Sequence, residues 1–325
     1  MITIQPAQLR RQAGTLLGQA AYNPKKLVLI HAAIALGGSL LITAINYFFS
    51  LQIADTGGLG GMGLRSVLST VQSVLELAVM VLLPFWEIGL LFAALRWANG
   101  ESANVPDLLE GLRRFGAVFA FRLLYGALFL ALGFSIFYCS ATLFVLTPFS
   151  NGFTDIIAPL MQPDITMEQV EAIMTPAFME NMAGTMTPLF ILFGILYAVA
   201  AIPLFYRLRF AEFALMDGER TGAAMLQSLH LTKKRSLQLV KLDLHFWWYY
   251  LLQVLCLVLS WADTLLPLLG IGLPVSAELA FFLFYILGAV CQGLLLWQCQ
   301  AKVLTTYCLA YNAFLPPVQT LEVSE

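Results

Sequence analysis

Apolar residues gather in six long stretches separated by short polar segments, at roughly 27–50, 67–97, 115–147, 186–214, 238–262 and 278–311. A hydrocarbon core takes about 20 residues of helix, so each stretch predicts one membrane crossing. Several run longer, which predicts tilt or protrusion into the headgroups. The first is too long for a signal-peptide core and predicts a retained span. The intervening segments alternate in character. One set is Gly-rich (Gly57 to Gly63), acidic (148–185) and Pro-containing (Pro267, Pro274). The other carries Arg10-Arg11 and Lys25-Lys26, then Arg113-Arg114, then Arg220 with Lys233-Lys234-Arg235.

The basic segments share a shape. Leu16-Leu17 precedes Lys25-Lys26; Leu108-Leu109, after Pro106, precedes Arg113-Arg114; Met225-Leu226, after Thr221 as an N-cap, precedes Lys233-Lys234-Arg235. Each predicts a short amphipathic helix in the interface with its cations toward anionic headgroups. The even-numbered spans also end alike, at Asn99-Gly100-Glu101, Asp217-Gly218-Glu219 and Tyr311-Asn312. The expected fold is all-α: a polytopic membrane helix bundle of six transmembrane helices plus interfacial amphipathic helices. It forms one integral membrane domain over 1–325, with hairpin units at 1–101, 102–219 and 220–313 and a short polar tail at 314–325. A threefold internal repeat and chance likeness among apolar helices both explain the shared shape.

The segment 148–185 carries Asp155, Asp164, Glu168, Glu171 and Glu180 and no base. Thr166 to Gln169 matches a capping box, and Met167, Val170, Met174, Phe178 and Met182 follow at helical spacing. An amphipathic helix over 167–182 is expected. Its methionines suit either gap filling or an adaptable contact with a membrane protein partner.

Composition agrees with lipid as the solvent: 60% of residues are hydrophobic and 11% charged, against about a quarter charged in soluble domains. Of the 17 Lys and Arg, only Arg65 falls on the acidic side of the partition. Cytoplasmic loops collect cations, so both termini are expected in the cytoplasm of a plasma or inner membrane. No basic block points to nucleic acid. Cys139, Cys256, Cys291, Cys299 and Cys308 lie in apolar stretches without C-x-x-C, and His31, His230 and His245 are scattered. Neither set has ligand spacing, so no metal and no cofactor is expected. No nucleophile elbow, zinc-binding helix, Walker loop or dinucleotide fingerprint occurs, and an enzyme is not expected.

Ionisable groups within hydrocarbon are expensive and are usually paired or functional. Counted from the basic clusters at about 1.5 Å per residue, Glu87, Arg122, Arg207, Asp243 and Lys302 come from five spans and reach about 12–15 Å into one layer. Three readings stand. The groups pair and set helix register, Arg207 and Lys302 snorkel to the interface, or the layer is a cationic cavity for an anionic headgroup or solute. Gln292, Gln298 and Gln300 add hydrogen-bonding capacity nearby. Pro84 and Pro203 predict kinks. Trp97, Trp247, Trp248 and Trp261 fit interfacial belts, while Trp86 and Trp297 fall deeper as packing residues.

The stretch Tyr206-Arg-Leu-Arg-Phe-Ala-Glu-Phe-Ala-Leu-Met-Asp217, then Ala224-Met-Leu-Gln-Ser-Leu with Lys233-Lys234, then His245-Phe-Trp-Trp, resembles a family of bacterial six-span membrane proteins of unknown function. That family is similar to the membrane domain of glycerophosphodiester phosphodiesterases. Arg11 to Gly18 resembles its amphipathic opening and Phe284-Tyr285 its late aromatic pair, but Val275 follows Pro274 where the family often has Tyr. The resemblance implies an integral membrane protein without the soluble catalytic domain of those phosphodiesterases. The expected function is a non-enzymatic accessory, scaffold or export-assisting component of the cell envelope, with membrane lipids as partners. The alternative is a transporter for a lipid or small anionic solute, working through the five-charge layer.

Overall fold

The computed structural model describes residues 5–55, 59–148, 150–152, 158, 173, 175–268, 270–271 and 275–316, and every regular element among them is helical. The helices are α1 (Pro6–Gln19), α2 (Pro24–Asp55), α3 (Leu59–Ala98), α4 (Glu110–Arg113), α5 (Phe115–Val145), α6 (Pro176–Leu208), α7 (Ala211–Met216), α8 (Thr221–Leu231), α9 (Ser236–His245), α10 (Trp247–Ser260), α11 (Ala262–Leu268) and α12 (Ala277–Phe314). A 3-10 turn, Val105–Leu109, leads into α4. Five helical segments are long and apolar enough to cross a membrane, and a sixth is if α9 and α10 count together. This agrees with the expected all-α bundle. Residues 167–172 and 174 of the expected outer amphipathic helix lie outside the described residues, and Pro176 onward belongs to α6.

The chain forms two compact units. The smaller, Ala120–Leu208, contains most of α5 and all of α6. Phe137 meets Phe193 edge-on at 5.7 Å, and a groove of about 540 Å³ opens between Gly126, Gly133, Phe137, Phe193 and Tyr197. Most apolar side chains here face outward: Phe134 and Val199 are each 68% exposed. An apolar surface this extensive exceeds what soluble monomers tolerate and suits contact with lipid.

The larger unit takes Met1–Phe119 and Arg209–Glu325. Within it α12 packs along α2 and α10, and α2 packs along α3. His31 and Trp86 stack across the α2–α3 contact, and the Trp86 Nε1–H donates to the His31 carbonyl at 3.2 Å. Trp86 is therefore a packing residue, as its position in the sequence implies. The densest core lies at the basic end of these helices. There α1, α7, α8, α9 and the last turns of α3 and α12 enclose Trp97, Phe210, Leu239, Phe246, Tyr307 and Tyr311.

Two devices build this basic-end head. The first is a close crossing. The turn 105–109 and α4 press on α3 so tightly that a Cβ on Gly89 would fall 2.5 Å from the Leu108 carbonyl carbon. A Cβ on Gly111 would fall 2.9 Å from that of Phe85. Only glycine allows backbone to meet backbone this way. The second is a repeated helix ending. Gly100 (φ 78°) and Gly218 (φ 109°) both take the left-handed conformation that side chains avoid. In each case the following glutamate N–H reaches back five residues, Glu101 to Arg96 O at 2.8 Å and Glu219 to Ala214 O at 3.0 Å. This is the Schellman closure, and it satisfies carbonyls that a helix end leaves open.

The segments expected as interfacial helices correspond to α1, the turn 105–109 with α4, and α8. They do not lie singly on a surface, because Ala13, Leu108, Gly111, Ala224, Met225 and Ser228 are buried in the head. Thr221 opens α8 as its first helical residue rather than as a cap; its Oγ1–H donates to Ala117 O at 3.3 Å.

Candidate functional site

The fifth apolar stretch is not one straight span. α9 and α10 meet at 66° around Phe246. The sequence changes character there, since 236–245 mixes Gln238, Lys241 and Asp243 among leucines whereas Trp247–Ser260 is almost wholly apolar. Leu239 and Leu242 bury against the head, Phe246 is 1% exposed, and α10 then follows α12. Asp243 therefore sits beside the bend. Both the Tyr307 hydroxyl and, at 3.4 Å, the Tyr250 hydroxyl donate to Asp243 Oδ1. The two tyrosine oxygens are 2.8 Å apart. Arg209, in the break between α6 and α7, brings Nη2 to 3.9 Å from the same carboxylate and lays its guanidinium over the Tyr307 ring at 4.7 Å. Arg10 of α1 sits 5.9 Å from the centre of the Phe246 ring. Three helices and one helix break thus converge on a single carboxylate.

Two ion-pair clasps and one hydrogen-bonded clasp hold the rest of the head. Arg96 Nη1 donates to both Asp107 oxygens, at 2.9 and 3.1 Å, and Arg96 Nε to Glu101 at 3.1 Å. Asp107 also accepts from Asn104 N–H at 2.6 Å and completes a capping box. Arg114 bonds Glu110 at 3.0 Å and donates to the carbonyls of Leu215 and Met216, which ties α4 to the end of α7. The third clasp joins the three helix ends that the sequence aligned. Asn312 Nδ2 donates to Asn99 Oδ1 at 2.8 Å, and Tyr311 OH donates to Asp217 at 3.3 Å.

The five residues expected in one layer divide between the two units. Arg122 and Arg207 belong to the smaller unit, the first half-buried and the second exposed. Glu87, Asp243 and Lys302 belong to the larger. Lys302 lies within α12. Lys25, at the start of α2, bonds Gln298 at 3.1 Å and lies 5.6 Å from the Trp297 ring. Lys302 is one turn further toward the head, with Nζ 3.6 Å from where a Cβ on Gly14 would stand. Glu87 is exposed. The Arg114 guanidinium lies 5.8 Å from Phe92, and Glu87 is about 7 Å from that level along the helix.

α3 runs past Phe92, and α12 runs about 24 Å past Gln298, both to build the head. Arg209, Tyr250 and Tyr307 were missed. The legible signal was Arg207-Leu-Arg209, because two cations at i and i+2 cannot share one helix face.

No family model, no curated protein and no solved structure matches the chain. Its class is an all-α protein with five or six helices able to cross a membrane, compatible with a multi-pass membrane protein.

Proposed function

We propose that this chain is a non-enzymatic multi-pass protein of a bacterial inner membrane, with both termini and the head in the cytoplasm. In this reading the head is a rigid platform that assists another envelope system. One observation carries it: Asp243, Arg96 and Arg114 of the head are taken up in holding helices together. Asp243 receives two tyrosines and an arginine, Arg96 two carboxylates, and Arg114 a carboxylate and two carbonyls. Satisfied polar networks rigidify and specify a structure. The meeting of three like helix ends at Asn99, Asp217 and Tyr311-Asn312 supports the same reading, as does the resemblance of Tyr206–Asp217 to a family of bacterial six-span membrane proteins.

The test is purification from native membranes in mild detergent, with mass spectrometry of retained proteins. A stoichiometric envelope protein that is lost when Asn312 and Asn99 are both replaced by alanine supports the platform. Impermeant thiol labelling of single cysteines near Lys25, Arg113 and Lys234, in a background lacking the native five, tests orientation; labelling from outside overturns it.

The bend at Phe246 favours a second reading as a transporter, because broken helices beside a carboxylate mark many transport sites. Dithionite quenching of fluorescent phosphatidylglycerol in proteoliposomes separates the two. Scrambling that disappears in Asp243→Asn selects the transporter.

A further inference from the structure

The loop between α8 and α9 carries three consecutive cations, Lys233, Lys234 and Arg235, at the edge of a cavity of about 490 Å³ that His230, Phe314 and Leu315 also line. No Asp or Glu is among the described residues that line it. Lys234 has φ 62°, the only positive φ among the described non-glycine residues. This conformation suits glycine, and a lysine there is held against its local preference, a pattern that clusters at ligand sites. Arg235 is fixed at the cavity wall: its Nη1 donates to Phe314 O at 3.2 Å, and its guanidinium lies 4.9 Å from the Phe314 ring centre. The N-terminus of the ten-residue α9 opens directly after Arg235 with no side-chain cap. Three consecutive cations at one concavity are the elements of a site for a phosphoryl group.

The outer face of α9 indicates where that group comes from. Leu237 and Leu244 are 76% and 63% exposed, Trp247 beyond the bend is 60% exposed, and Lys241 is exposed between the leucines. Apolar residues interleaved with a cation and an adjacent tryptophan form the surface of an interfacial helix.

We infer that the cavity bounded by Lys233, Lys234 and Arg235 binds a phosphomonoester or phosphodiester, the headgroup of an anionic lipid or a free phosphate. The inference rests on the membrane reading above and deepens it, giving the head a lipid to recognise.

The experiment uses the full chain in an uncharged detergent, so that neither orientation nor bilayer surface potential enters. Native mass spectrometry compares retention of dioctanoyl phosphatidic acid with that of dioctanoylglycerol, which lacks the phosphate. The wild type is expected to retain the first and not the second. Lys234→Gln combined with Arg235→Gln is expected to weaken retention by about tenfold or more, the scale of a lost charge-assisted bond. Lys241→Gln, on the same helix but outside the cavity, leaves it unchanged. Lys234→Gly relieves the backbone while deleting the cation, so it keeps a raised melting temperature and still loses lipid, which separates binding from folding. Displacement of the lipid by inorganic phosphate assigns recognition to the phosphoryl group itself; dependence on Lys234 without displacement assigns it to the lipid headgroup. Equal retention of both lipids, wild-type retention by the double variant, or an equal loss in Lys241→Gln overturns the proposal. Outside labelling of the basic loops would remove the cytoplasmic assignment and leave this result standing.

Discussion

Gly89→Ala is expected to loosen the head although it adds one methyl group to a helix that gains from alanine. The new Cβ would lie 2.5 Å from the Leu108 carbonyl carbon and 2.9 Å from its Cα. Both are backbone atoms, so no side-chain rotation relieves the clash. Carbon atoms settle at about 3.5 Å or more, so the turn 105–109 must retreat by about 1 Å. Leu108 is fully buried, and Phe85 stacks on Phe115 at 4.6 Å across the same contact. Uncovering a leucine costs about 1.5–3 kcal/mol, and losing the aromatic pair adds about 0.5–1.5 kcal/mol. Against this, Gly to Ala within a helix contributes about 1 kcal/mol of stabilisation. The net loss is about 2 kcal/mol, on the order of a 4 °C fall in melting temperature. The assay is thermal denaturation of the detergent-solubilised chain followed by tryptophan fluorescence and by size-exclusion recovery. Gly37→Ala is the control, since nothing stands within 4 Å of its new Cβ; it is expected to be neutral or slightly stabilising. Gly111→Ala strikes the same crossing from the other side. The double variant with Gly89→Ala is expected to cost little more than either alone, because the turn detaches only once. A Gly89→Ala protein that melts at or above the wild-type temperature, or additive losses in the double variant, would refute the close crossing.

Tyr307→Phe removes a hydroxyl from Asp243 and leaves its ring in place, so a loss of about 1–3 kcal/mol is expected in the same melt; wild-type stability would exclude the tyrosine clasp. Asp107→Ala breaks the bond to Arg96 and the capping box together and should cost about 2 kcal/mol, whereas Arg113→Gln, at a cation whose side chain is 63% exposed, should shift melting very little. Gly100→Ala and Gly218→Ala should each cost about 1–2 kcal/mol for the left-handed backbone, and strongly unequal losses would argue against one shared helix ending.

The periodicity and length of the apolar runs were enough to determine an all-α fold with spanning helices, because hydrocarbon allows a single continuous chain segment little besides helix. Glycine placement made two helix endings legible as well, since Asn99-Gly100-Glu101 and Asp217-Gly218-Glu219 show in sequence the one residue that accepts positive φ. Tertiary structure decided where the charges lie. α12 carries Lys302 past the level of Lys25, and α9 meets α10 at 66° beside the point where Asp243 meets Tyr307. A residue count along a helix measures distance from that helix's own end, and hydropathy cannot say how far the end stands from the membrane surface. That distance follows from which buried faces find each other, and partners such as Asp243 and Tyr307, or Asn99 and Asn312, are set by packing between segments far apart in the chain.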